Sequence, residues 1–222
     1  MNPERIKAAL FDFDGVICQT ETYRMDYCED QLARCGVRVE DRRALYGLVG
    51  APPKVPHQDR GRYMDGLFGG QAAYRLYREE LTVFPRLEYR YGELLTPGLC
   101  QTVARLRQAG LLTGVASNSS SGVLRRGLEE CGLAGSFDAV VSGWDLDRRK
   151  PDPYIYGLLM DRLRVGPEEC VIVEDSQNGI QAGRASGAAA VFALRDRDGL
   201  LDQHGCDRVL AHITQLLTEL KL

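Results

Sequence analysis

Apolar residues along the chain gather into five short runs, at 8–13, 111–116, 139–141, 170–173 and 189–194, which tend to end in Asp, Ser or Gly. Continuous apolar runs of this length, bounded by turn-forming residues, read as strands buried on both faces. Between them, the segments 99–108, 123–131, 154–163 and 180–185 space their apolar residues at the helical period. Strands that alternate with helices predict an α/β fold built on a doubly wound parallel sheet. The interval 20–91 breaks this rhythm. It is helix-like at 23–34 and 71–84 and offers no convincing buried strand, so it reads as a helical domain inserted into a core made of 1–19 and 92–222.

In an open parallel sheet the ligand sits beyond the carboxyl ends of the strands. Catalytic groups are therefore expected just after the apolar runs, and three of four candidate segments answer that description. Asp12-Phe13-Asp14-Gly15-Val16 follows the first run. Residues two apart share a face of an extended chain, so Asp12 and Asp14 would lie close enough to repel by roughly 1 to 4 kcal/mol and would need a positive partner. A strand end with a plain Asp-Gly turn is the alternative. Ser117, Asn118 and Ser119 follow the second run and precede a helix, where a hydroxyl and free backbone N–H groups suit phosphate; viewed alone, the segment is better explained by an ordinary helix cap at Ser117 or Asn118. In Lys150-Pro151-Asp152-Pro153 the prolines keep Lys150 out of helix and open the next one. Glu174-Asp175-Ser176 follows the fourth run, and adjacent acids at a strand end are costly unless solvated or paired with a cation.

Composition narrows the function further. With 222 residues the chain can bury a core that needs no staples. Its 28 basic residues are dispersed among 31 acidic ones for a net charge of -3, which argues against a nucleic-acid partner. Seven cysteines form no C-x-x-C pair and read as reduced, mostly buried thiols. The polar stretch 1–7 does not look like a signal peptide, and the run 188–194 is too short to span a bilayer. A cytoplasmic protein without membrane contact, monomeric or weakly dimeric, is expected.

Taken together, the four segments resemble the haloacid dehalogenase superfamily of phosphohydrolases. The resemblance runs over nearly the whole chain: D-x-D-G-V near the N-terminus, a helical cap insertion, a strand ending in Ser117, the Lys150-Pro151 pair, and E-D-S-x-x-G-I-x-A from Glu174 to Ala182. The β-phosphoglucomutase and sugar-phosphatase group is the most similar in appearance. The resemblance implies that Asp12 is a nucleophile forming an aspartyl phosphate and that Asp14 is the general acid and base. It implies one Mg2+ held by Asp12, the Asp14 backbone carbonyl and Asp175, with Glu174 contributing directly or through water. Ser117, the backbone at Asn118 and Lys150 would grip the phosphoryl oxygens of a small phosphate ester. An acid at position 14 disfavours carbon–halogen chemistry.

The chain departs from the pattern where relatives carry Asp and His after the first motif, since Gln19 and Arg24 stand there. Arg24 and Lys54 are the candidate cap contacts to substrate. The loss of the histidine weakens a phosphohexose mutase relative to a phosphatase. A non-catalytic phosphate-binding module and a phosphorylated receiver domain are the readings of another class.

Overall fold

A computed structural model describes residues 1–34, 36–43 and 89–222. By its internal contacts the chain divides into two units, 1–19 with 90–222, and 20–89. Within the second, helix α1 (Thr20–Arg34) begins three residues before the periodicity suggested. Arg42 anchors the turn after it by reaching back to Asp26 and Glu29, both at 2.7 Å. The expected helix at 71–84 and the candidate Lys54 lie outside the described residues.

The first unit is built on a six-stranded parallel sheet: β1 (Ala8–Phe11), β2 (Leu112–Ser117), β3 (Ala139–Ser142), β4 (Cys170–Glu174), β5 (Ala190–Leu194) and β6 (Arg208–Leu210). Helices α2 (Leu99–Gln108), α3 (Ser121–Glu130), α4 (Tyr154–Leu163), α5 (Gln177–Ala185) and α6 (Gln215–Glu219) alternate with the strands. The five apolar runs all become strands. The first stops at Phe11, so Asp12 is the first residue beyond it. β6 and α6 carry no sequence signal strong enough to be read in advance, because three and five residues are too few to establish a period.

The strand order is β3-β2-β1-β4-β5-β6. The chain thus builds outward from β1 in one direction, then returns and builds in the other from β4. The crevice of such a sheet opens between the two strands where the order reverses, here β1 and β4, whose register pairs Phe11 with Val173. Asp12 and Glu174 each follow by one residue, so a parallel register alone delivers both carboxylates to the same edge.

Beneath that edge, Leu10, Ala116, Ile172 and Val191 of the sheet share one buried cluster with Tyr156, Leu159 and Met160 of α4. Each large aliphatic side chain buried in this way contributes about 1.5 to 3 kcal/mol. The approach is close at Gly114, where a Cβ would sit 3.0 Å from a Leu159 methyl. Among the described residues no helix is long and apolar enough to cross a membrane.

Candidate active site

Asp12 leaves β1 with its backbone N–H donated to the Val173 carbonyl at 2.9 Å, which continues the ladder one step beyond the strand. The chain then turns sharply at Gly15, whose φ of +80° is a left-handed conformation. A Cβ at that position would overlap the Asp175 carboxylate, with Oδ2 only 1.8 Å away. Glycine is thus required twice, by backbone geometry and by the close approach of an acid. Gln19 donates its amide to the Gly15 carbonyl (3.1 Å) and to Thr96 (2.8 Å), tying down the far end of the turn.

Lys150 is the centre of the arrangement. Its ammonium donates to Asp12 Oδ1 at 2.6 Å, to Glu174 Oε1 at 2.5 Å and to the Ala116 carbonyl at 2.7 Å. It also lies 4.9 Å from the centroid of the Tyr156 ring. Every proton of the ammonium is therefore accounted for, which is what burial to 8% exposure demands. The residue is held from its backbone as well. Asn118 Oδ1 accepts from the Lys150 N–H (3.2 Å), and the Asn118 amide donates to the Lys150 carbonyl (3.4 Å). Asn118 does not cap the following helix; Ser120 does, accepting from the Val123 N–H. Helix α4 starts at Tyr154, with Pro153 as its capping residue and the Asp152 carboxylate accepting from the Tyr154 N–H.

Glu174 is completely buried. Besides Lys150, its Oε1 accepts from the Tyr156 hydroxyl, while Oε2 faces the Asp175 N–H at 3.3 Å and the Ser176 hydroxyl at 3.5 Å. Gly179 leaves room for it, since a Cβ there would fall 1.9 Å from the carboxylate carbon. Asp175, only 3% exposed, has its backbone carbonyl held by Gln203 at 2.8 Å. Asp14, half-buried, accepts from Ser119 Oγ at 2.6 Å and from Ser117 Oγ at 3.4 Å, and Ser117 Oγ in turn accepts from the Ser119 N–H.

Electrostatics follow from this burial. Loss of solvent pushes the Asp12 carboxyl well above the usual carboxylate range, and Glu174 and Asp14 add to the rise while Lys150 opposes it. Burial alone would lower the Lys150 ammonium, but Asp12 and Glu174 outweigh it and hold the group above its ordinary value. Lys150 is therefore a fixed cation at neutral pH. The Tyr156 phenol is pushed well up, first by burial and then by Glu174, so it serves as a permanent donor.

Carboxylate oxygens of Asp12, Glu174 and Asp175 lie within 4.8 Å of one another. Three formal negative charges against one ammonium leave an excess of two. An all-oxygen donor set with that excess fits a hard divalent cation. Asp14 is not one of the three; its carboxylate is engaged by the two serines.

Of the residues singled out from sequence, Asp12, Lys150 and Glu174 are joined directly, Asp175 belongs to the same acidic cluster, and Ser117 reaches Asp14. Arg24 lies on α1 in an ion pair with Glu21 at 3.0 Å. Tyr156 and Gln203 carry no signal in the sequence, and Ser119, part of the second candidate segment, makes the shorter of the two serine contacts to Asp14. Tyr156 reads as core in an apolar helix, and nothing local reveals where its hydroxyl points.

A family model described as haloacid dehalogenase-like hydrolase matches residues 6–187. The chain belongs to that family. It is 32% identical over 185 residues to hexitol phosphatase B of Escherichia coli (strain K12), covering 83% of this chain and 82% of that protein. It is 28% identical over 215 residues to the phosphorylated carbohydrates phosphatase of Thermotoga maritima, covering 89% and 91%. Among solved structures, that of CbbY from Rhodobacter sphaeroides in complex with phosphate superposes with a TM-score of 0.66 at 25% identity, covering 98% of this chain and all of that one. As a family member with phosphatases among its relatives, the chain is a phosphoric monoester hydrolase.

Proposed function

We propose that the chain is a magnesium-dependent phosphatase of small phosphate esters, sugar phosphates among them, that works through an aspartyl phosphate on Asp12. The observation that carries this reading is the buried ammonium of Lys150 bridging Asp12 and Glu174 at the crevice between β1 and β4. A carboxylate so constrained, in a site with excess negative charge, is suited to a nucleophile whose substrate arrives with its charge offset.

In this reading a carboxylate oxygen of Asp12 attacks phosphorus as the ester oxygen departs in line and takes a proton from Asp14. Asp14 then removes a proton from water, and the resulting attack on phosphorus frees phosphate and restores Asp12. Ser119 and Ser117 orient the Asp14 carboxylate for both transfers. Lys150 holds Asp12 in position and sets positive charge beside the phosphoryl oxygens. Asp12 and Asp175, with Glu174 behind them, would hold Mg2+, whose charge offsets that of the transferring group. The 20–91 insertion is the segment that selects the leaving group, because the core recognises only the phosphoryl group shared by all substrates. Relatives named for hexitol and carbohydrate phosphates support a polyol or sugar ester.

The test is release of free phosphate from an aryl phosphate and a panel of sugar phosphates, β-glucose 1-phosphate included, with Mg2+ and with chelator. Turnover that needs the metal and falls at least about 10⁴-fold in Asp12→Asn, with the fold retained, is expected. Wild-type rates in Asp12→Asn would exclude the assigned nucleophile. Glucose 6-phosphate without free phosphate would make the protein a mutase.

A further inference from the structure

One buried pair of thiols lies outside this chemistry. Cys18 closes the turn that carries Asp12 and Asp14, and Cys131 is the residue that ends α3. Their sulfurs are 3.4 Å apart although 113 residues separate them in the chain. Both also converge on one acceptor, the Tyr91 carbonyl, at 4.0 and 3.4 Å.

We propose that Cys18 and Cys131 are a modification site: a thiol pair that peroxide converts into a reversible disulfide, tying the turn after Asp14 to the end of α3.

The surroundings preset this contact and resist its dispersal. Phe13 presses on α3 at Gly127, where a Cβ would lie 2.2 Å from the ring, and meets Tyr91 edge-on at 5.7 Å. Tyr91 is fixed in turn, its N–H donated to the Glu130 carboxylate at 2.9 Å, while Gly92 allows the Glu130 carbonyl within 2.9 Å of where a Cβ would stand. On the other side, the Cys18 N–H donates to the Phe13 carbonyl and the Cys18 carbonyl accepts from Gly15. Two thiols held by rigid backbone at van der Waals contact need only about 1.4 Å of approach to reach a disulfide of about 2.05 Å.

The two sulfurs are not equivalent. Cys131 keeps 7% of its surface in solvent, whereas Cys18 keeps none. A hydrogen bond with Cys18 holds the Cys131 thiol below the ordinary thiol range, although partial burial opposes this, while the same bond and burial push Cys18 up. Cys131 is therefore the sulfur that meets oxidant. Its attack on hydrogen peroxide breaks the O–O bond and gives a sulfenic acid and water; Cys18 sulfur then displaces hydroxide from it, forming the S–S bond and a second water. Two thiols are oxidised and one peroxide is reduced. Cys100 is exposed, which provides an internal control.

The experiment treats the full chain with hydrogen peroxide, blocks remaining thiols by alkylation under denaturing conditions, and maps peptides by mass spectrometry without reductant. The expected result is a linked Cys18–Cys131 peptide, an intact mass lowered by two hydrogens, and a Tm raised by roughly 5 to 10 °C, all reversed by dithiothreitol. In Cys131→Ser the linked peptide and the Tm rise both disappear. Recovery of Cys18 and Cys131 as alkylated thiols at a dose that oxidises Cys100 completely would overturn the proposal, as would an equal Tm rise in Cys131→Ser. Neither readout depends on phosphatase activity.

Discussion

Replacing Lys150 with methionine removes one ammonium and keeps most of the side chain's volume, so it isolates the charge. In the wild-type site that ammonium touches Asp12, Glu174 and the Ala116 carbonyl within 2.7 Å. Without it, two buried carboxylates face each other with no counter-ion, and a backbone carbonyl loses its donor. Removing one partner of a buried ion pair costs about 3 to 5 kcal/mol, because the charge left behind remains desolvated. For a chain of this length each kcal/mol moves Tm by about 2 to 4 °C, so a fall on the order of 10 °C is expected. Thermal melts by circular dichroism in metal-free buffer measure it, alongside aryl-phosphate turnover, which should drop to background. The sign with pH follows from the raised ammonium: its contribution is complete below the unfolded value near 10.4 and is lost only as pH climbs through the still higher folded value. The ammonium's own contribution to that gap should therefore stay level from about pH 7 to 9. Adding Glu174→Gln to Lys150→Met removes one orphaned charge and should recover part of the Tm without recovering activity. A single mutant melting within about 2 °C of wild type would refute the reasoning, since surface-like substitutions are the ones that change so little.

Two further substitutions test the supporting contacts. Tyr156→Phe deletes a donor to Glu174 Oε1 but leaves Lys150 on the same oxygen, so the loss should be about 1 to 2 kcal/mol, a Tm fall of about 2 to 8 °C, with kcat reduced by less than about tenfold; a melt unchanged from wild type would show that the hydroxyl is not engaged. Away from the site, Asp138 accepts from the Thr113 N–H at 2.8 Å and from Arg107 at 2.9 Å, and these bonds hold its carboxyl below the usual range despite partial burial. Its contribution is present above the unfolded carboxylate value near 3.9 and fades as pH falls through the lower folded value. Asp138→Asn should therefore weaken the loss of Tm on acidification below about pH 4, and an identical acid limb in both proteins would contradict this.

Local pattern decided a good deal here. Alternation of apolar runs with helical spacing determined the strands and core helices, because a period of two or of 3.6 is a property of neighbours in the chain. The placement of Asp12, Ser117 and Glu174 at strand ends was legible for the same reason. The Asp-Gly turn at Gly15 was legible too, although the sequence could not show that Asp175 is the group its missing side chain admits.

What tertiary structure alone decided is who touches whom. Lys150 lies 138 residues from Asp12 and 24 from Glu174, and only the adjacency of β1 and β4, fixed by strand order, sets both carboxylates around one ammonium. Tyr156 looks like any core aromatic until α4 crosses the sheet and aims its hydroxyl at Glu174. The Cys18–Cys131 contact follows the same rule. Hydrogen bonds and charges act over a few ångströms of space, and distance along the chain carries no information about that space until the sheet has assembled.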